Sequence, residues 1–171
     1  CVIIDRSGSM RAHEAGGKAR LDLAKDAALK MVDDLRGGDR LMIVSFAEKA
    51  EVLCELSDDK GRLREAVRGI SATDAKSNVR DVMAIARSLA PNSRELPSVV
   101  PDLQLILVSD GGLSDLDALG ETSLPMRYVR IGEASDNAAI VGFDVRRAEA
   151  TASAPQAFVQ VANNSELKLD T

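Results

Sequence analysis

Val2-Ile3-Ile4-Asp5-Arg6-Ser7-Gly8-Ser9-Met10 decides how this chain is read. The apolar run reads as a strand, and the polar residues after it as a tight loop. That loop carries a carboxylate at Asp5 and hydroxyls at Ser7 and Ser9, on alternate residues. Oxygen-only donors at this spacing suit a hard divalent cation such as Mg²⁺, which takes octahedral oxygen at roughly 2.0–2.1 Å and usually keeps some waters. One carboxylate with two neutral hydroxyls makes a weak site alone, so other loops must complete it. The same residues also fit a Ser/Gly-rich turn with Asp as a local cap. The rest of the chain has to choose.

Downstream, residues 11–17 form a polar loop with the only histidine, His13, whose simplest reading is a solvated side chain. Lys18 to Arg36 reads as a helix, with Leu21, Ala24, Ala28, Met31, Val32 and Leu35 on one face and Gly37-Gly38 as its stop. Leu41 to Phe46 is nearly all apolar, as in a strand buried on both faces. Glu51 to Leu56 reads as a shorter strand nearer an edge, joined to it by a hairpin-length link. Ser57 is the expected cap of a helix from Asp58 to Ile70.

A polar loop over 71–77 precedes a helix from about Asn78 to Ala90. Pro91 to Pro101 is a Pro/Ser-rich connection, expected to be exposed. Leu103 to Ser109 is another buried strand, ending at Asp110-Gly111-Gly112. A short helix is expected over Leu113 to Gly120, and a strand over Met126 to Ile131. Helices alternating with apolar strands predict an α/β fold, a doubly wound, mostly parallel sheet with helices on both faces. In such sheets ligands bind beyond the carboxyl ends of the strands, near a switch in strand order. Asp5 and Asp110 each follow a buried strand at that end, and Ser77, before a helix start, can face the same crevice.

The pattern changes after Gly132. Ala139 to Arg147 and Gln156 to Ala162 alternate apolar and polar residues with no amphipathic helix between them. The expected division is 1–132 as the α/β domain and 133–171 as a linker plus β-hairpin, opening an incomplete β-sandwich module. The other reading of the hairpin is an extra edge of the first domain.

Composition narrows the function. At 45% apolar and 29% charged, the 171 residues can bury a core of ordinary domain size. Aromatics at 2% and a net charge of −5 without a basic stripe argue against nucleic acid as a partner. Cys1 and Cys54 are too few for a disulfide framework or zinc site, and each reads as a buried thiol. No apolar window is long enough to span a membrane. No signal-peptide pattern is read in these residues, which says little about a longer parent. The chain opens at Cys1, already in a strand and without Met, so a segment of a longer protein is expected.

The combination of Val2–Met10, the following helix, Asp39–Phe46, a hydroxyl before a helix and Leu107-Val108-Ser109-Asp110-Gly111 resembles the von Willebrand factor type A domain over about residues 1–132. The resemblance implies a doubly wound sheet with a metal-ion-dependent adhesion site at its top. Asp5, Ser7 and Ser9 match the family's Asp-x-Ser-x-Ser loop. Asp110 matches its later acidic residue, which commonly acts through water. The third loop normally supplies Thr; here Ser77 in Lys76-Ser77-Asn78 matches, with Thr73-Asp74 as the competing alignment. The family's usual last helix is not evident after Ile131. In that respect the chain is similar to bacterial membrane-associated proteins related to BatA, where such a domain can be followed by a β-sandwich.

The resemblance implies a protein-binding module rather than an enzyme. Its cation, Mg²⁺ or else Mn²⁺ or Ca²⁺, keeps one coordination position open for an Asp or Glu of a partner protein. The charges agree. Asp5 and Asp110 together balance a divalent ion, and the neutral hydroxyls leave it electrophilic. Arg6 and Arg11 flank the loop and can steer an acidic partner, or serve as plain surface charge. A Mg²⁺-dependent phosphohydrolase normally has a second carboxylate two residues after the first, where this chain has Ser7. A serine nucleophile lacks a base other than His13, Gly-x-Ser-x-Gly is absent, and no phosphate-cradling G-x-x-x-x-G-K-[ST] occurs. A scaffold with a vestigial metal site is the third alternative.

Overall fold

The computed structural model describes residues 1–89, 103–114, 125–132, 138–146 and 156–163. They fall into two units, 1–132 and 133–171. In the first, β1 (Val2–Asp5), β2 (Leu41–Phe46), β3 (Ala50–Ser57), β5 (Leu105–Ser109) and β7 (Met126–Arg130) form one sheet in the order β3-β2-β1-β5-β7. All neighbours are parallel except β2 and β3. The central strands are apolar at nearly every position because both faces are covered. Val2, Ile4, Leu41, Ile43 and Val108 face one layer, with α1 (Arg20–Asp33) and α2 (Lys60–Arg68). Ile3, Met42, Val44, Phe46, Leu105 and Leu107 face the other, with α3 (Val79–Leu89). This is the expected doubly wound α/β architecture.

β1 is the switch point, since β2 and β5 flank it on opposite sides. Their carboxyl ends therefore open a crevice between the loop after Asp5 and the loop after Ser109. Met10, fully buried in the core, anchors a short 3₁₀ turn (Gly8–Arg11) that carries Ser9.

Local chemistry shifts several boundaries. α1 starts at Arg20 rather than Lys18, because Lys18 and Ala19 fold back on the preceding loop. Glu14 N–H donates to the Lys18 carbonyl, and His13 and Ala19 form an isolated antiparallel bridge. α1 ends at Asp33, yet Leu35 still packs against the core. The cap of α2 is Asp59, not Ser57. Its Oδ1 accepts from the Gly61 and Arg62 N–H groups at 2.8 and 3.2 Å. Ser57 instead accepts the Asp59 N–H.

Leu113 does not begin a helix. Leu113–Ser114 is a short strand, β6, paired in parallel with β4 (Ser77–Asn78). Non-local backbone pairing here overrides the helical pattern. The rest of that expected helix, 115–120, and the connection over 91–101 lie outside the described residues. Cys1 and Cys54 are free and buried, as expected.

In the second unit, β8 (Ala138–Arg146) and β9 (Gln156–Asn163) pair antiparallel as a hairpin, with a register shift between Ile140 and Gly142. Among the described residues, no helix is long and apolar enough to cross a membrane.

Candidate metal centre

Asp5 ends β1 with no solvent exposure. Its Oδ1 accepts the Ser7 N–H at 2.9 Å, and its Oδ2 accepts the Ser109 hydroxyl at 2.7 Å. Burial raises its pKa, partly offset by those hydrogen bonds, and the nearby Asp110 charge raises it further. The Ser7 and Ser9 hydroxyls lie 3.2 Å apart. The third loop is tied to them through its backbone, with Gly8 N–H donating to the Ala75 carbonyl at 3.0 Å.

Ser7, Ser9 and Ser77 line one open cleft of about 390 Å³ with Gly112 and Leu113. Ser77 is buried, and its hydroxyl donates to the Gly112 carbonyl at 2.7 Å. Thr73 is placed differently. Its hydroxyl donates to the Arg6 carbonyl at 3.3 Å and accepts from Ala75 N–H at 3.3 Å, so it braces the loop. Gly112 completes the cradle. A Cβ there would stand 3.3 Å from both Ser9 Oγ and Asp110 Oδ1. The three hydroxyls share the cleft, whereas Asp5 and Asp110 are at the same end of the sheet but do not line it. As donor types, carboxylate and hydroxyl oxygens suit a hard cation such as Mg²⁺, Mn²⁺ or Ca²⁺. Among the described residues, no group of three or more His, Cys, Asp or Glu side chains is arranged to hold a metal. Any cation here would therefore depend on hydroxyls.

Both oxygens of Asp110 are engaged. Oδ1 accepts the Gly112 N–H at 3.0 Å, and Oδ2 accepts from Arg20 Nη1 at 2.9 Å. Arg20 also donates from Nε to Glu14 Oε1 at 2.7 Å. Burial works against the Arg20 charge, but Glu14 and Asp110 outweigh it, so its pKa is raised. Sequence reasoning missed Arg20 and Glu14, which look like ordinary polar residues of a helix start and a loop respectively. It also missed Ser109 as a partner of Asp5, although its position beside Asp110 was a usable signal. Tyr128 donates its hydroxyl to the Ser109 carbonyl at 3.0 Å.

The two flanking arginines part company. Arg11 is exposed and ion-paired with Asp74 at the rim. Arg6 turns away from the hydroxyl-lined cleft into a neighbouring one, with Nη2 3.5 Å from Glu51. His13 lies outside this hydroxyl cradle.

The sequence model of the von Willebrand factor type A domain matches residues 1–112. The chain belongs to that family. Domains of the von Willebrand factor type A family often mediate protein–protein interaction and are typically not enzymes. No curated protein sequence matches the chain. Among solved structures, it is similar to BatB from Bacteroides thetaiotaomicron, at 19% identity and a TM-score of 0.62, over 96% of this chain and 80% of that one. An aerotolerance-related membrane protein from Bacteroides fragilis gives 18% identity and a TM-score of 0.63, over 96% and 81%. A von Willebrand factor type A structure from Catenulispora acidiphila gives 22% and 0.54, over 74% and 31%. At these identities the likeness establishes the shared type A fold.

Proposed function

We propose that this type A domain is a metal-dependent protein-binding module. Asp5, Ser7, Ser9 and Ser77 hold a divalent cation, Mg²⁺ or alternatively Mn²⁺ or Ca²⁺, with Asp110 acting through water. When bound, the ion offers an open coordination position to an Asp or Glu side chain of a partner protein. One observation carries the reading: three hydroxyls from two separate loops share a single cleft, beside a glycine whose missing Cβ leaves the space open, and the Ser7 N–H ties one of those loops to the buried Asp5 carboxylate.

The chain's own residues prepare that site. Ser7 N–H and Ser109 Oγ orient the Asp5 carboxylate. Backbone pairing of β4 with β6 holds Ser77 against Gly112. Arg11 at the rim attracts an acidic partner, and Arg6 adds only longer-range positive potential. The likeness to a Bacteroides membrane protein supports a bacterial, membrane-associated parent of the BatA-like kind.

A scaffold with a vestigial site is the second reading, favoured by the Arg20–Asp110 ion pair, which already neutralises one carboxylate. Calorimetric titration with Mg²⁺, with chelator as control, separates the two. Saturable binding lost in Asp5→Ala supports the module. No heat at millimolar Mg²⁺ leaves the scaffold.

A further inference from the structure

Arg6 sits in the metal loop, but its side chain serves a different cleft. This second cleft, about 570 Å³, lies between β3 and α2. That volume is ordinary for a small-molecule site. Ser45 and Cys54, both buried, form its floor. Arg6 Nε–H is buried there and hydrogen-bonds to nothing among the described residues. Nη2, on the same edge of the guanidinium, reaches only Glu51 Oε2, at the long distance of 3.5 Å. Glu51 is itself 61% exposed.

The Nε/Nη2 edge is a fork that grips a carboxylate through two parallel N–H···O bonds. Burial leaves the Nε donor without an acceptor among the described residues, while the side chain as a whole keeps 27% exposure, so a small shift of the guanidinium toward the cleft presents the fork to a ligand. The Arg6 backbone is fixed beforehand. The Arg6 N–H donates to the Phe46 carbonyl at 2.8 Å, and the Arg6 carbonyl accepts from Thr73 N–H at 2.8 Å.

The remaining lining selects the ligand. Arg62 joins Arg6, and Glu51 and Glu65 oppose them, so the cleft is formally neutral. A monoanion is accepted by the fork without strong repulsion, whereas a dianion meets both glutamates. Leu53 and Ile70 add an apolar wall suited to a short hydrocarbon tail. We propose that this cleft is a second binding site, separate from the metal centre, for a small organic monocarboxylate held by the Arg6 fork.

The test is ¹⁵N-edited NMR of the arginine Nε–H groups in the whole chain, with chelator present so that no divalent metal contributes. Butyrate, acetate and inorganic phosphate are titrated separately. Arg6 Nε–H should shift saturably, at lower concentration with butyrate than with acetate, and least with phosphate. Arg6→Lys, which keeps the charge but lacks the fork, should weaken butyrate binding about tenfold or more, read from the Ser45 and Cys54 amides. Glu51→Gln removes the competing carboxylate and should retain binding. Three results would overturn the proposal: no saturable shift in either the wild type or Glu51→Gln, phosphate binding tighter than butyrate, or unchanged butyrate affinity in Arg6→Lys.

Discussion

Arg20 donates from Nη1 to Asp110 Oδ2 across 2.9 Å, joining the start of α1 to the loop after β5. Their side chains are only 11% and 3% exposed, and Arg20 also holds Glu14. Removing one partner of a buried pair strands the other charge, which costs about 3–5 kcal/mol. Arg20→Gln should therefore destabilise the metal-free domain by about 3 kcal/mol in urea unfolding. It should also tighten Mg²⁺ binding, because Asp110 is no longer neutralised. Mg²⁺ should then stabilise Arg20→Gln more than the wild type. Equal Mg²⁺ affinities in calorimetry would show that the arginine does not tune the centre.

Tyr128 is the only tyrosine, and there is no tryptophan, so its phenol can be titrated by absorbance without interference. Burial raises its pKa first, and the Asp110 charge adds to the effect. The folded phenol should ionise above the ordinary value of about 10 seen in denaturant. The folded state then binds more protons through that window. Stability should fall as pH rises from the unfolded value through the raised folded one. Asp110→Asn should lower the folded value while leaving it above the unfolded one, since burial is the larger cause. A titration that overlays the one in denaturant would refute the assignment.

Much of this was readable because the determinants are local. β2 was expected over Leu41 to Phe46, where it is found, since a fully buried strand needs an unbroken apolar run. Asp5, Ser7 and Ser9 lie on one loop, and Asp110 follows a buried strand. Chain order alone could not reveal Arg20 against Asp110 or Ser109 against Asp5, separations of 90 and 104 residues. Leu113 misled for the same reason. An apolar residue after two glycines resembles a helix start, but its backbone pairs with Ser77, from a different loop. At α2, Ser57 was the expected cap, and the actual one is two residues further on. Asp59 took the role because its carboxylate reaches two N–H groups.

Ser77 and Thr73 should separate by metal affinity. Ser77→Ala removes a cleft hydroxyl and its 2.7 Å hydrogen bond to the Gly112 carbonyl, so it should weaken Mg²⁺ binding and also cost about 1 kcal/mol of metal-free stability. Thr73→Ala removes the brace on the Arg6 carbonyl, a loss of about 1 kcal/mol in unfolding, and should affect metal affinity less. The reverse order of metal affinities would move the third-loop ligand to Thr73.

Asp59→Ala should cost about 1 kcal/mol of stability, the usual value of an N-cap, with Ser57→Ala costing clearly less. Chemical denaturation of both variants checks the comparison. Equal losses would mean that the two side chains share the cap.

Gly112→Ala tests the cradle without touching a ligand. Its φ lies outside the left-handed region, unlike that of Gly111 at +93°, so alanine is tolerated by the backbone. The new methyl would stand 3.3 Å from both Ser9 Oγ and Asp110 Oδ1, tight enough that one or both must move. Both neighbours are side-chain ends, so the fold should survive with little change in midpoint. The convergence of the oxygens should not survive. Mg²⁺ affinity is expected to drop by about tenfold, or about 1.4 kcal/mol. Gly112→Ser should behave similarly, since its hydroxyl is carried on the same intruding Cβ. Calorimetry on the folded variants decides. If Gly112→Ala binds Mg²⁺ as the wild type does, Ser9 and Asp110 do not act together on one ion, and the centre would have to be built from Asp5, Ser7 and Ser77 alone.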